Sequence, residues 1–219
     1  TIPHDDPGVL PFIWQLQDGK QPDSSQVVSD VIKTSMELVT GKHGEITSFV
    51  GDGLHKLIEY MLDDVTDGAW FTGQDFAPKL YALAYRKFED YLSRVMHSQI
   101  PVVIFTSWDD ESPDRKVKSG ERASDVPSSV RPDLPGQLAK RILGEFSVVF
   151  HQSLKSPKPG EAAIAVWQTQ PDAAIKGCGI KGPARVTTRI PKFIKADYPT
   201  FEALWTKAES DANKEEGVK

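Results

Sequence analysis

The chain is poor in sulfur and in long apolar runs. Its 219 residues hold one cysteine, Cys178, and three methionines. A lone cysteine cannot close an internal disulfide, so a reducing compartment fits best and no disulfide framework exists to replace a hydrophobic core. No apolar run approaches the ~20 residues that a bilayer-crossing helix needs. The opening TIPHDDPGVLP lacks the basic and apolar regions of a signal peptide, and it lacks an initiator Met. Histidines 4, 43, 55, 97 and 151 are scattered without metal-ligand spacing, which argues against zinc. There is no G-x-S-x-G elbow for a serine hydrolase. A net charge of −5 excludes a protein that coats nucleic acid by bulk basicity, while leaving room for a local basic loop.

What is present is ordinary globular composition, 39% hydrophobic and 26% charged, enough for one sizeable core. Leu10 to Leu16 (LPFIWQL) reads as a short strand. Pro22-Asp23-Ser24-Ser25 then supplies capping chemistry for a helix whose apolar face is Val27, Val28, Val31, Ile32, Met36 and Val39, closed by Gly41. EITSFVGDG is a β-rich run, followed by a helix with Leu54, Leu57, Ile58, Met61, Leu62 and Val65 as its stripe. The clearest helix is Pro78 to Ser98, where Leu80, Leu83, Ala84, Phe88, Tyr91, Leu92, Val95 and Met96 hold a 3.6-residue period. It leads into IPVVIFTSW, a strand apolar enough to be buried on both faces. Asp109 to Pro132 is charged and without apolar period, which reads as a long loop. LPGQLAKRILGEF is a short helix, SVVFHQ and AAIAVWQTQ are strands around the turn-forming KSPKPGE, and a last helix spans about Pro199 to Ala208. The expected organisation is one α/β domain over 1–208, built on a largely parallel sheet, with a charged tail from 209 to 219 that frays.

Two strand ends carry candidate chemistry. Asp52 closes an apolar strand, where α/β proteins bind ligands at the carboxyl edge; its ordinary alternative is to cap the helix beginning at Leu54. Thr106 and Ser107 close the second strand, with hydroxyls able to sense a phosphate or simply to end the strand. Trp108 is either a stacking surface or part of the core rim. His55 reads as a rim histidine.

In order, strand-Asp-helix, long helix, strand-Thr-Ser, polar loop, RPDLPGQLAKRILGEF, SVVFHQ and VWQTQPD with a Gly/Lys segment resemble the phage AAA-type nucleotide-binding family, whose core is RecA-like. The resemblance spans about Ile46 to Leu204, and RPDLPG is its most specific stretch. It implies a RecA-like P-loop NTPase core, a parallel sheet flanked by helices. It implies ATP and Mg²⁺ as cofactors, single-stranded DNA and further copies of the chain as partners, and the cytoplasm of a bacterial host. Asp52 would be the Walker B aspartate that holds Mg²⁺ through water, with Thr106 and Ser107 at the sensor strand end. Arg115, Lys116, Lys118 and Arg122 would contact DNA, as would Lys155 and Lys158. Asp109, Asp110, Glu111, Asp114, Glu121 and Asp125 offset the first four, and a solvated loop is the ordinary reading. Lys176, Lys181 and Arg185 would reach nucleotide phosphates on a neighbouring subunit, or form an exposed turn.

The family's defining string, G-x-x-x-x-G-K-S/T, is absent from these residues. VTGKHGE lacks the upstream Gly and ends a helix, and GIKGPAR fits no better. LPFIWQLQDG matches the strand that follows the P-loop helix in such cores. Asp18 then stands near the catalytic carboxylate, where Glu is usual. The expectation is that the first strand, P-loop and helix precede Thr1. The alternative is a non-catalytic α/β assembly or interaction module descended from such an ATPase.

Overall fold

A computed structural model describes residues 23–113, 128–135, 138–156, 161–175 and 177–217. The chain divides into two compact units, Thr1–Ser107 and Trp108–Lys219.

The first unit is built from α1 (Ser24–Val39), β1 (Ser48–Gly51), α2 (Leu54–Val65), α3 (Ala69–Thr72), α4 (Lys79–Met96) and β2 (Val102–Phe105). Asp23 caps α1, its carboxylate accepting from the Gln26 N–H at 2.9 Å. Ala84, Phe88, Tyr91, Leu92 and Val95 fall on one face of α4 and are buried. They meet Leu54, Ile58, Met61 and Leu62 of α2 and Val27 and Val28 of α1, the three helices packing pairwise. Full burial of side chains such as Phe88, Ile58 and Leu62 stabilises by about 1.5–3 kcal/mol each. Leu83 falls outside the buried arc and is exposed. His55 is only 4% exposed, an interior residue rather than a rim one, because it lies on the same helix face as the buried Ile58 and Leu62.

β1 and β2 pair in parallel, Ser48 opposite Val102 through Gly51 opposite Phe105. The three-helix crossover between them is long enough for that geometry. Phe49 and Phe105 pack toward the helices, their ring centroids 5.7 Å apart. The cross-strand neighbours Val50 and Ile104 are on the other face and are exposed. The expectation of a strand buried on both faces therefore fails for β2.

The second unit contains β3 (Asp109–Pro113), β4 (Ser128–Pro132), α5 (Leu138–Ile142), β5 (Val148–Val149), β6 (His151–Lys155), β7 (Ile164–Gln168), β8 (Gly179–Ile180), α6 (Ala184–Thr187), β9 (Phe193–Lys195) and α7 (Tyr198–Gly217). The expected long loop is bounded by an antiparallel pair, β3 against β4; residues 114–127 between them lie outside the described residues. SVVFHQ is not one strand: β5 pairs with β8, while β6 joins the antiparallel sheet β6-β7-β9. Phe150 lies between β5 and β6, its ring stacked on Trp167 at 4.6 Å and edge-on to Phe201 at 5.1 Å.

The largely parallel sheet is thus corrected. Among the described residues β1-β2 is a parallel ladder and every other strand ladder is antiparallel. For β6 and β7 the physical reason is connection length. Only 156–163 separates β6 from β7, and a parallel return needs a dozen residues or more. The fold is mixed α/β with small sheets.

The last helix also runs further than its apolar pattern suggested. Asp197 caps α7, accepting from the Thr200 N–H at 2.8 Å, and the helix continues to Gly217. Ala208 and Ala212 bury against Val186 and Ile190, and Arg189 reaches Glu215 at 2.6 Å. Residues 209–217 thus continue the helix rather than fray.

Candidate functional site

The carboxyl ends of β1 and β2 converge on a compact polar corner. The Thr106 N–H donates to the Gly51 carbonyl at 3.0 Å, and the Leu54 N–H donates to the Thr106 carbonyl at 2.8 Å. The Gly53 N–H donates to the Thr106 Oγ1 at 3.0 Å, and the Thr106 hydroxyl donates in turn to the Asp52 Oδ1 in a close contact. One hydroxyl therefore joins a carboxylate and an amide from the neighbouring strand end.

Two glycines make this corner. Gly53 has φ +89°, a left-handed conformation that costs an L residue about 1–2 kcal/mol, and it is the cap residue of α2. A Cβ on Gly51 would lie 2.4 Å from Cδ1 of Phe105, so only hydrogen fits beside that ring. Since Gly53 is the cap and no side chain caps α2, the alternative in which Asp52 serves as a helix cap is not realised. Asp52 is exposed, directed to Thr106 by one oxygen. Ser107 follows, its Oγ buried and without a hydrogen-bond partner among the described residues.

A carboxylate and hydroxyls are hard oxygen donors, suited to Mg²⁺, which keeps several waters and takes one or two carboxylates plus phosphate oxygens. The corner fits that mode. No cluster of three or more His, Cys, Asp or Glu suited to holding a metal occurs among the described residues.

Asp18, Arg115, Lys116, Lys118, Arg122, Lys158 and Lys176 lie outside the described residues. Lys181 donates its ammonium to the Gly144 carbonyl just after α5, in a close contact. Arg185 is exposed on α6, and its carbonyl accepts from the Arg189 Nε at 2.9 Å. The Lys155 ammonium rests 3.0 Å from the centroid of the Phe193 ring. Trp108 is exposed.

Three polar arrangements were not anticipated. Asp63 is a buried carboxylate that accepts from the Ser24 hydroxyl at 2.6 Å and the Phe71 N–H at 3.0 Å, joining α1, α2 and α3. His151 Nε2 lies 3.0 Å from an Asp109 oxygen, linking β6 to β3. Asp172 accepts from Lys192 Nζ at 2.9 Å, Gln168 Nε2 at 3.0 Å, the Ile175 N–H at 2.8 Å and the Ala174 N–H at 3.0 Å. The Lys192 ammonium, helped by these amides, holds its carboxyl well below the usual carboxylate range. Four donors occupy Asp172, so it is a structural knot; the Pro-Asp turn sequence is the signal that marks it.

Comparison with protein-family models, with curated proteins and with solved structures gives no match.

Proposed function

We propose that the chain is part of a RecA-like ATP-binding protein of the phage type that acts on single-stranded DNA in recombination or replication, assembling as a homo-oligomer in the host cytoplasm. The observation that carries this reading is the Thr106 hydroxyl bonded to Asp52 across adjacent parallel strand ends. That pairing supports a nucleotide site because ligands of α/β folds bind at this edge, especially where a strand-end carboxylate awaits a cation. Asp52 would hold Mg²⁺ through its water shell, and the ion would offset the charge of the β- and γ-phosphates. Thr106 fixes the orientation of Asp52, and its link to Gly53 ties that orientation to the start of α2. Ser107 supplies a second hydroxyl at the same edge.

The second reading, a non-catalytic assembly module, is favoured by one specific observation: no G-x-x-x-x-G-K-S/T string occurs in the 219 residues. Without such a cradle the phosphates lose their main electrostatic stabilisation. Intact mass of the native protein, together with ATP calorimetry on it and on Asp52→Ala, separates the two. A mass several kilodaltons above this chain, with Mg²⁺-dependent binding lost in the variant, supports the ATPase reading. A matching mass with no binding supports the module.

A further inference from the structure

Strand β6 is an edge of the β6-β7-β9 sheet, and the backbone bonds fix which of its residues face outward. On the far side of β7, the Thr169 N–H donates to the Lys192 carbonyl at 2.9 Å and the Ala196 N–H donates to the Ala165 carbonyl at 3.1 Å. Odd-numbered residues of β7 therefore direct their backbone groups to β9, while Ile164, Val166 and Gln168 direct theirs to β6. Their partners there are Lys155, Ser153 and His151. By alternation, the N–H and C=O groups of Gln152 and Leu154 point away from the sheet, and they have no backbone partner among the described residues. Both side chains are exposed, and Leu154, at 72%, is the most exposed large apolar side chain among the described residues.

A row of outward backbone groups has one close chemical complement, the backbone of another extended strand. The side chains narrow the choice. Gln152 and Leu154 share one face of the sheet, so an added strand with an apolar residue on that face would cover Leu154. Ser153 and Lys155 share the other face. There the Lys155 ammonium has no carboxylate partner among the described residues and rests over the Phe193 ring. A short edge that ends in lysine resists indiscriminate pairing and favours a strand that brings an acid. A second copy of the chain fits poorly. In the antiparallel register centred on Ser153, both outward residues meet outward residues of the copy. That register sets Lys155 across from His151, basic against basic, and Leu154 across from Gln152.

We infer that the free edge of β6 binds an extended segment of a partner protein by antiparallel strand addition, and that apolar and acidic residues alternate along this segment. Its apolar residues bond through their backbone to Gln152 and Leu154 and cover the Leu154 side chain. Its acidic residues lie on the opposite face, beside Lys155. The inference goes beyond the nucleotide reading and uses none of the residues of the nucleotide corner.

The test is titration of the isotope-labelled full chain with a peptide of about seven residues in which glutamate and valine alternate, read by nuclear magnetic resonance of the backbone amides. Before peptide is added, the Gln152 and Leu154 amides should exchange with solvent much faster than those of Ser153 and Lys155, which bond to β7. The peptide should shift the Gln152 and Leu154 amides and slow their exchange. Methylating the valine nitrogens removes the donors that face β6 and should weaken binding about tenfold or more. Methylating the glutamate nitrogens, which face solvent, should leave binding intact. A peptide of alternating lysine and valine should bind about threefold more weakly, and Lys155→Glu should reverse that order. No shift at Gln152 and Leu154, equal loss from either methylation, or a charge preference unchanged by Lys155→Glu would overturn the inference. So would a concentration-dependent shift of these two amides in the chain alone, which would mark a second copy as the occupant.

Discussion

Replacement of Asp63 tests how the helices of the first unit are held. Its two oxygens take the Ser24 hydroxyl and the Phe71 N–H at 2.6 and 3.0 Å, and the residue is 8% exposed. Hydrogen bonds to a charged acceptor contribute about 1.5–3 kcal/mol each, so the pair is worth about 3–6 kcal/mol gross. Removing the carboxylate also removes the cost of burying it, which offsets part of that sum. The Phe71 N–H, however, is left half-buried without its acceptor. Asp63→Ala should therefore destabilise by about 3 kcal/mol, which corresponds to a fall of about 6–12 °C in melting temperature for a protein of this size. Asp63→Asn keeps an acceptor for one of the two donors and should cost about half as much. Ser24→Ala leaves the Phe71 bond intact and should also be milder than Asp63→Ala. Urea unfolding followed by circular dichroism measures all three. A loss below about 1 kcal/mol for Asp63→Ala would show that the carboxylate is not a junction of these helices.

Three further outcomes are expected. Gly51→Ala should cost about 1–3 kcal/mol, because its Cβ would meet the Phe105 ring and the packed strand pair must shift; thermal melting reads it, and a neutral change refutes the close approach. Acid unfolding should depend on Asp172. Its folded pKa is depressed from 3.8, so its contribution is present above about pH 4 and is lost as pH falls toward the folded value. Melting curves between about pH 2 and 5 should therefore fall less steeply for Asp172→Asn than for the unaltered chain, and equal slopes would refute this. The 219-residue chain should show no ATP turnover above background in a phosphate-release assay; robust turnover abolished by Asp52→Ala would overturn the argument from the missing cradle.

The helices were legible where a stripe of one period met explicit stops. Asp23 before α1 and Ala84-Phe88-Tyr91-Leu92-Val95 along α4 needed only capping and periodicity. The second unit was misread because apolar runs do not state strand direction. SVVFHQ looks continuous, yet Phe150 turns out of the ladder to stack on Trp167, and the two halves join different sheets. The eight residues from 156 to 163 held the decisive information in their number, too few for a crossover. The hairpin strands β3 and β4 gave no apolar signal at all; their order comes from backbone pairing, which charged and Ser-rich segments can also make.

The candidate corner was half legible, and the missing half is in the glycines. An apolar strand followed by Asp has two meanings, cap or ligand, and the carboxylate alone does not choose between them. Gly53 chooses, because a left-handed residue in the cap position moves Asp52 one step back from the helix amides. From there the carboxylate is directed across the strand pair to Thr106, 54 residues later, and the same hydroxyl receives the Gly53 amide. The string G-D-G therefore encodes more than flexibility. Its first glycine lets Phe105 close over the strand end, and its second leaves Asp52 free of the helix and at the surface. A carboxylate released from capping and held by one oxygen keeps the other at the surface, where the water shell of the proposed Mg²⁺ would reach it.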